Sequence, residues 1–131
     1  MSAREVRAKP LVLVVDDFDD GRELATDILT FAGFDVRAAA NGIDALDLTR
    51  ELIPDLLVLD LALPGLDGWQ VAESLKSGDD TRSIPILALT AHAEAGALDR
   101  ARQAGCDEIL TKPCSPDRLV EHVRRLTAAA G

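Results

Sequence analysis

Short apolar runs separated by longer amphipathic stretches constrain this chain more than any other feature. "LVLVV" (Leu11–Val15) is apolar at every position, and "DLLVLDL" (Asp55–Leu61) and "IPILALT" (Ile84–Thr90) are nearly so. Strands with no polar alternation are buried on both faces, as happens in parallel sheets covered by helices on either side. Two further strands are predicted at "FDVRAA" (Phe34–Ala39) and "DEILTK" (Asp107–Lys112). Between the runs lie helical patterns. "DGRELATDILTFAG" carries Leu24, Ile28, Leu29 and Phe31 or Ala32 at helical spacing and stops at Gly33. The others are Gly42–Leu52, which must end before Pro54, then Gly68–Ser77, Glu94–Gly105 and Ser115–Ala130. In the last helix Ser115 is the predicted N-cap and Pro116 the first helical residue. Five βα units with short connections predict an α/β three-layer sandwich around a parallel sheet with right-handed crossovers.

The chain has 131 residues, enough for one domain with a real core. Its 14 basic and 23 acidic residues give a formal net charge of -9, which repels phosphate backbones and argues against nucleic-acid binding. No apolar run is long enough to span a bilayer, and "MSAREVRAKP" lacks the apolar segment of a secretory signal. A cytoplasmic protein without membrane contact is expected. Cys106 and Cys114 form no metal or redox spacing and are expected to be ordinary thiols.

In folds of this class ligands gather beyond the carboxyl ends of the strands. The first strand ends at Asp16 and Asp17, the third at Asp60, the fourth at Thr90 and the fifth at Lys112. Singly, each has an ordinary explanation. The aspartates after the first strand are a cap or a solvated pair, Thr90 a β-branched strand residue, Lys112 a surface lysine. Asp60 is odder, because "VLDLALPG" surrounds it with apolar neighbours, and ionised carboxylates are rarely buried unpaired. Jointly, the ordinary explanations fail, since all five fall on the one edge where the architecture binds ligands.

The residue types then set the chemistry. Three converging acids repel unless a cation sits among them. An all-oxygen donor set with no His or Cys suits a hard cation such as Mg2+, which keeps waters and leaves room for phosphate oxygens. Lys112 and Thr90 would hold other oxygens of a transferring phosphoryl group, and Asp60 can act as nucleophile, forming an acyl phosphate.

The ordered set "VVDDFDD", "LVLDLALPGLDGW", "ILALTAHA" and "LTKPCSP" resembles the response-regulator receiver domains of two-component signalling, in particular stand-alone receivers like the chemotaxis regulators. The similarity runs from about Leu11 to Leu126. It implies a flavodoxin-like (βα)5 fold with strand order 2-1-3-4-5, an N-terminal tail over 1–10, a receiver domain over 11–127 and a C-terminal tail over 128–131. It implies Asp60 as phosphoacceptor, taking the group from a sensor histidine kinase or histidine phosphotransfer protein and switching contact with an unknown downstream protein, as a monomer or weak dimer. It implies Mg2+ ligation by Asp17, Asp60 and the backbone carbonyl of Ala62, with Asp16 acting through water. Lys112 and Thr90 would contact the phosphoryl group, Ala91 would leave it room, and the Lys112–Pro113 bond would be cis.

The chain departs from the family's pattern at Ile109, where a Tyr or Phe commonly swings inward with the threonine. Isoleucine is stiff and lacks a polar tip, so half of that switch is missing. Output would then be read near Asp60 and Thr90, or the relay would be weak. Cys114 replaces a common Phe and is expected to be a small apolar contact. His92 is placed to tune acyl-phosphate hydrolysis or to be an exposed loop histidine. His122 has no evident partner, and Trp69 is expected to be partly packed. Two other functions stay open: a phosphorylation-independent interaction module of receiver type, and a small phosphatase of haloacid-dehalogenase type using Asp17-Phe18-Asp19, although Gly21 stands where such enzymes carry Thr. In "VVDDFDD", Asp19 is the expected N-cap of the first helix, with Asp20 capping ahead of Glu23 as the alternative.

Overall fold

The computed structural model describes residues 7–63, 65–91 and 95–130. Its elements alternate without exception: β1 (Leu11–Val15), α1 (Asp19–Phe31), β2 (Asp35–Ala39), α2 (Gly42–Leu52), β3 (Leu56–Asp60), α3 (Gly68–Lys76), β4 (Ile86–Thr90), α4 (Ala95–Gln103), β5 (Glu108–Thr111) and α5 (Pro116–Ala130). The strands are parallel and ordered β2-β1-β3-β4-β5, the order the resemblance implied. The chain changes direction across the sheet between β1 and β3, which pair Val12 with Leu56 through Val15 with Leu59.

Strand composition follows strand position. The three inner strands are buried along their whole length, matching their apolar runs. The edge strands carry the polar residues: Asp35 and Arg37 of β2 are exposed, and Glu108 of β5 is half-buried. Because side chains alternate across a strand, the sheet divides its residues between two cores. Leu13, Val15, Leu57, Leu59, Ile86 and Ala88 face α2, α3 and α4, meeting Ala45, Val71, Leu75 and Ala101. Val12, Val14, Leu56, Val58, Leu87, Leu89 and Leu110 face α1 and α5, meeting Ala25, Leu29, Leu119 and Val123.

Several strands are shorter than the sequence predicts. β3 begins at Leu56 rather than Asp55, β4 at Ile86 rather than Ile84, and β5 stops at Thr111, leaving Lys112 just beyond the sheet. Asp55 instead accepts the Leu11 amide at 2.8 Å and pairs with Arg7. The cap of α1 also differs. Phe18 occupies the N-cap with no side-chain capping bond, and neither Asp19 nor Asp20 serves. Asp16 Oδ1 accepts the Phe18 amide at 3.0 Å, so the turn into the helix is tied from the strand side. Asp19 becomes the first helical residue, where it favours the dipole and ion-pairs with Arg22 at 2.6 Å. Ser115 does cap α5, accepting from the Arg118 amide at 3.2 Å, with Pro116 first in the helix. The predicted start of α4 at Glu94 lies outside the described residues.

Cys106 and Cys114 are free thiols. Burial, then the neighbouring Asp107 carboxylate, pushes the Cys106 thiol up to about 11, so it is not a nucleophile at neutral pH. Among the described residues no helix is long and apolar enough to cross a membrane. His122 gains the partner that the sequence did not reveal: its Nδ1 lies 2.6 Å from Glu108 Oε1, which Arg125 of α5 also reaches. Burial alone would raise the Glu108 carboxyl, but the bonds from His122 and Arg125 outweigh it and hold it below its ordinary 4.5. The ionised carboxylate therefore stabilises the fold above pH 4.5, and that contribution is lost as the pH falls through the lowered value. Glu108→Gln is expected to lower the urea midpoint at pH 7, and its deficit against wild type should shrink as both are titrated below about pH 4.5.

Candidate functional site

The site forms where the inner strands run out. Asp16 extends the row Val12–Val14 and Asp60 the row Leu56–Val58, on adjacent strands and on the same side of the sheet. Lys112 extends the row through Leu110 of β5. Backbone bonds continue past the strand ends and hold these residues in register. The Asp16 amide donates to Ala39 at 3.2 Å, the Leu61 amide to Leu89 at 3.0 Å, and the Lys112 amide to Thr90 at 2.7 Å.

The side chains then meet. Carboxylate oxygens of Asp16, Asp17 and Asp60 all lie within 4.8 Å of one another. Lys112 Nζ sits 3.3 Å from Asp16 Oδ2 and 3.2 Å from Asp60 Oδ2. Asp16 and Asp60 are buried, at 5% and 7% exposure, whereas Asp17 is exposed and opens the cluster to solvent. Desolvation pulls the Lys112 ammonium down, but Asp60 and Asp16 together pull it up further, so it stays above its ordinary 10.5. The ammonium is thus fully charged below pH 10.5 and loses its charge only as the pH rises through the raised value. Three carboxylates against one ammonium leave two negative charges uncompensated when all are ionised. That surplus, and a donor set made only of oxygen, fits a hard divalent cation.

The remaining predicted residues take separate places. Thr90 closes β4, buried at 5% exposure, beside the strand that ends in Asp60. The Ala62 amide donates to Asp60 Oδ1 at 2.9 Å, so Oδ1 and Oδ2 are held by different donors. Ala91 is exposed next to Thr90. The Lys112–Pro113 bond is cis. Cys114 packs half-buried against the α1–α5 core, the small apolar contact expected of it. Ile109 packs partly buried against the opposite core. With Leu98 of α4 it lines a cavity of about 330 Å³. His92 lies outside the described residues. Asp19, the second acid of the D-x-D pattern, ion-pairs with Arg22 and does not join the acidic cluster.

Two glycines contribute that residue chemistry alone did not reveal. A Cβ on Gly21 would lie 2.8 Å from Asp16 Oδ2, and one on Gly68 would lie 2.6 Å from the Asp60 carbonyl and 2.6 Å from Leu61 Cα. The first turn of α3 is thereby pressed onto the backbone of the central aspartate. Asp67 secures that turn with a capping box, accepting the Gln70 amide while Gln70 accepts the Asp67 amide, each at 3.0 Å. The only sequence signal was Asp67-Gly68 ahead of a helical pattern.

Comparison with known proteins agrees with this geometry. The model of the response regulator receiver domain matches residues 12–124. A polar-differentiation response regulator, DivK, of Brucella anthropi is 38% identical over 113 residues, covering 86% of this chain and 92% of that protein. The signal receiver domain of a histidine kinase from Syntrophus aciditrophicus superposes with a TM-score of 0.86 at 31% identity, covering 92% of this chain and 91% of that one. Vibrio cholerae chemotaxis protein CheY4 gives a TM-score of 0.87 at 27% identity, covering 91% and 99%. The chain belongs to the response regulator receiver domain family, the signalling domains of two-component systems.

Gly68→Ala should disturb the site through the backbone alone. Overpacking at such a contact costs on the order of 1–3 kcal/mol. Chemical denaturation should show a loss of that size, and the amide resonances of Asp60 and Leu61 should move more than those of β2.

Proposed function

We propose that this receiver accepts a phosphoryl group on Asp60, with Mg2+ held at the acidic cluster, and so switches its contact with a downstream protein. The observation that carries the proposal is the convergence of Asp16, Asp17 and Asp60 on Lys112 at the strand ends. Asp17, Asp60 and the Ala62 carbonyl would hold the cation, with Asp16 reaching it through water. Bound there, Mg2+ would neutralise charge on the carboxylates and on the incoming phosphoryl oxygens.

The protein's own residues do the rest. The donor is a phosphohistidine of a sensor kinase or of a phosphotransfer protein. An Asp60 carboxylate oxygen forms the new P–O bond as the P–N bond breaks, and the electron pair returns to the imidazole nitrogen. Little acid–base chemistry is needed, so positioning and charge stabilisation dominate. The Ala62 amide fixes Oδ1 of Asp60. Lys112, already within hydrogen-bonding reach of Oδ2, can follow the negative charge from the carboxylate to the phosphoryl oxygens. Thr90 supplies a hydroxyl from the adjoining strand, and Ala91 leaves space beside it. Residues 11–127 would form the receiver unit, acting in the cytoplasm where kinase and Mg2+ are available. The phosphatase alternative needs Asp17 and Asp19 to work as a pair, and the Asp19–Arg22 ion pair weighs against it.

Labelling from a phosphohistidine donor should require Mg2+ and fall by at least a hundredfold in Asp60→Asn. Label retained at full level in that variant would refute the assignment. Added Mg2+ should also raise the thermal midpoint of wild type by binding the native state. Asp17→Asn should largely abolish the rise.

A further inference from the structure

Trp69 is the chain's single tryptophan. It stands on the first turn of α3, next to the glycine that abuts the Asp60 carbonyl. Its ring packs partly buried against the α2–α4 core. Arg100 of α4 lays its guanidinium over the ring, 4.1 Å from the centroid. The indole Nε1 is buried and has no hydrogen-bond partner among the described residues. These two facts oppose each other. The cation over the ring face favours the arrangement, whereas a buried N–H without an acceptor disfavours it. An alternative packing that gave the N–H an acceptor would relieve the second cost while losing the first gain, the trade-off that a two-state element needs.

The stack also lies in the right place. It joins two helices that each continue from a strand ending in the site: α3 follows Asp60 of β3, and α4 follows Thr90 of β4. A phosphoryl group on Asp60, facing Thr90, would therefore sit at the roots of both. Among the described residues no other Trp, Tyr or Phe ring lies on the α2–α4 side. Position 109 is isoleucine, Phe34 packs in the opposite core, and Phe18 and Phe31 are exposed on α1.

We propose that the Trp69–Arg100 stack couples occupancy of the site to the α3–α4 face: it is closed in the unphosphorylated protein and opens on phosphorylation, when the indole N–H gains an acceptor or water. Arg100 is a positioning residue here, acting through Trp69 and not on the phosphoryl group. The proposal rests on Asp60 being the phosphoacceptor, and the experiment keeps the two apart.

A single tryptophan gives a single indole N–H cross-peak in a 15N-correlated NMR spectrum. The probe is acetyl phosphate with Mg2+, and phosphorylation is followed independently by intact mass. In wild type the indole peak should move as the phosphorylated mass appears. In Arg100→Ala, an exposed position, the peak of the unphosphorylated protein should already lie part of the way toward that new position. Initial phosphorylation should be about two- to fivefold faster, because the contact opposing the competent state is gone. Arg100→Lys keeps a cation over the ring and should stay within about twofold of wild type. An unmoved indole peak in phosphorylated wild type overturns the proposal, as does Arg100→Ala with wild-type peak position and rate. Absence of any mass gain overturns the assignment of Asp60, and the proposal with it.

Discussion

Lys112 between Asp16 and Asp60 is the interaction on which the rest depends. Nothing in the chemistry of three carboxylates brings them together; left free they would separate. The sheet forces them close by ending β1 and β3, its two most deeply buried neighbours, at the same level, and by tying the next peptide of each to an adjoining strand. One ammonium then relieves part of the repulsion, at 3.2 and 3.3 Å, without filling the site. The protein thus holds a surplus of two negative charges at a solvent-facing edge, which the proposed cation would meet. Stability and function are drawn from the same residues, since the apolar strands that build the core also fix the positions of their terminal acids.

Much of this was legible in the sequence because burial and chemistry leave different marks. "LVLVV" reads as a strand buried on both faces, and the structure places the more polar "FDVRAA" and "DEILTK" at the sheet edges. Asp60 stood out because its neighbours are apolar, and it proves to be 7% exposed with two donors. Strand order came from family resemblance, since βα alternation permits several orders. Other features depended on atoms distant in sequence. Asp19 reads as a helix cap, but Asp16 ties the turn and Arg22 takes the Asp19 carboxylate. Glu108 and His122 are 14 positions apart and meet only because α5 folds back over β5. Gly68 looks like an ordinary helix start until the Asp60 carbonyl is seen beneath it.

Ile109 gives the domain its individuality. The face between α4 and β5 carries an aliphatic side chain over a small cavity where an aromatic ring is common in the family. The aromatic mass on that side of the sheet sits instead on α3, at Trp69, in direct contact with α4 through Arg100. On the proposed coupling, the state of the site would pass along α3 and α4, through residues that lie outside the acidic cluster.

The most direct test of the account is to locate the acyl phosphate itself. Borohydride reduces an aspartyl phosphate to homoserine and releases inorganic phosphate, so peptide mapping after reduction reports the acceptor residue. With donor and Mg2+ present, homoserine should appear at position 60 and nowhere else. Homoserine at position 17, or none at all in protein shown to carry the label, would contradict the assignment.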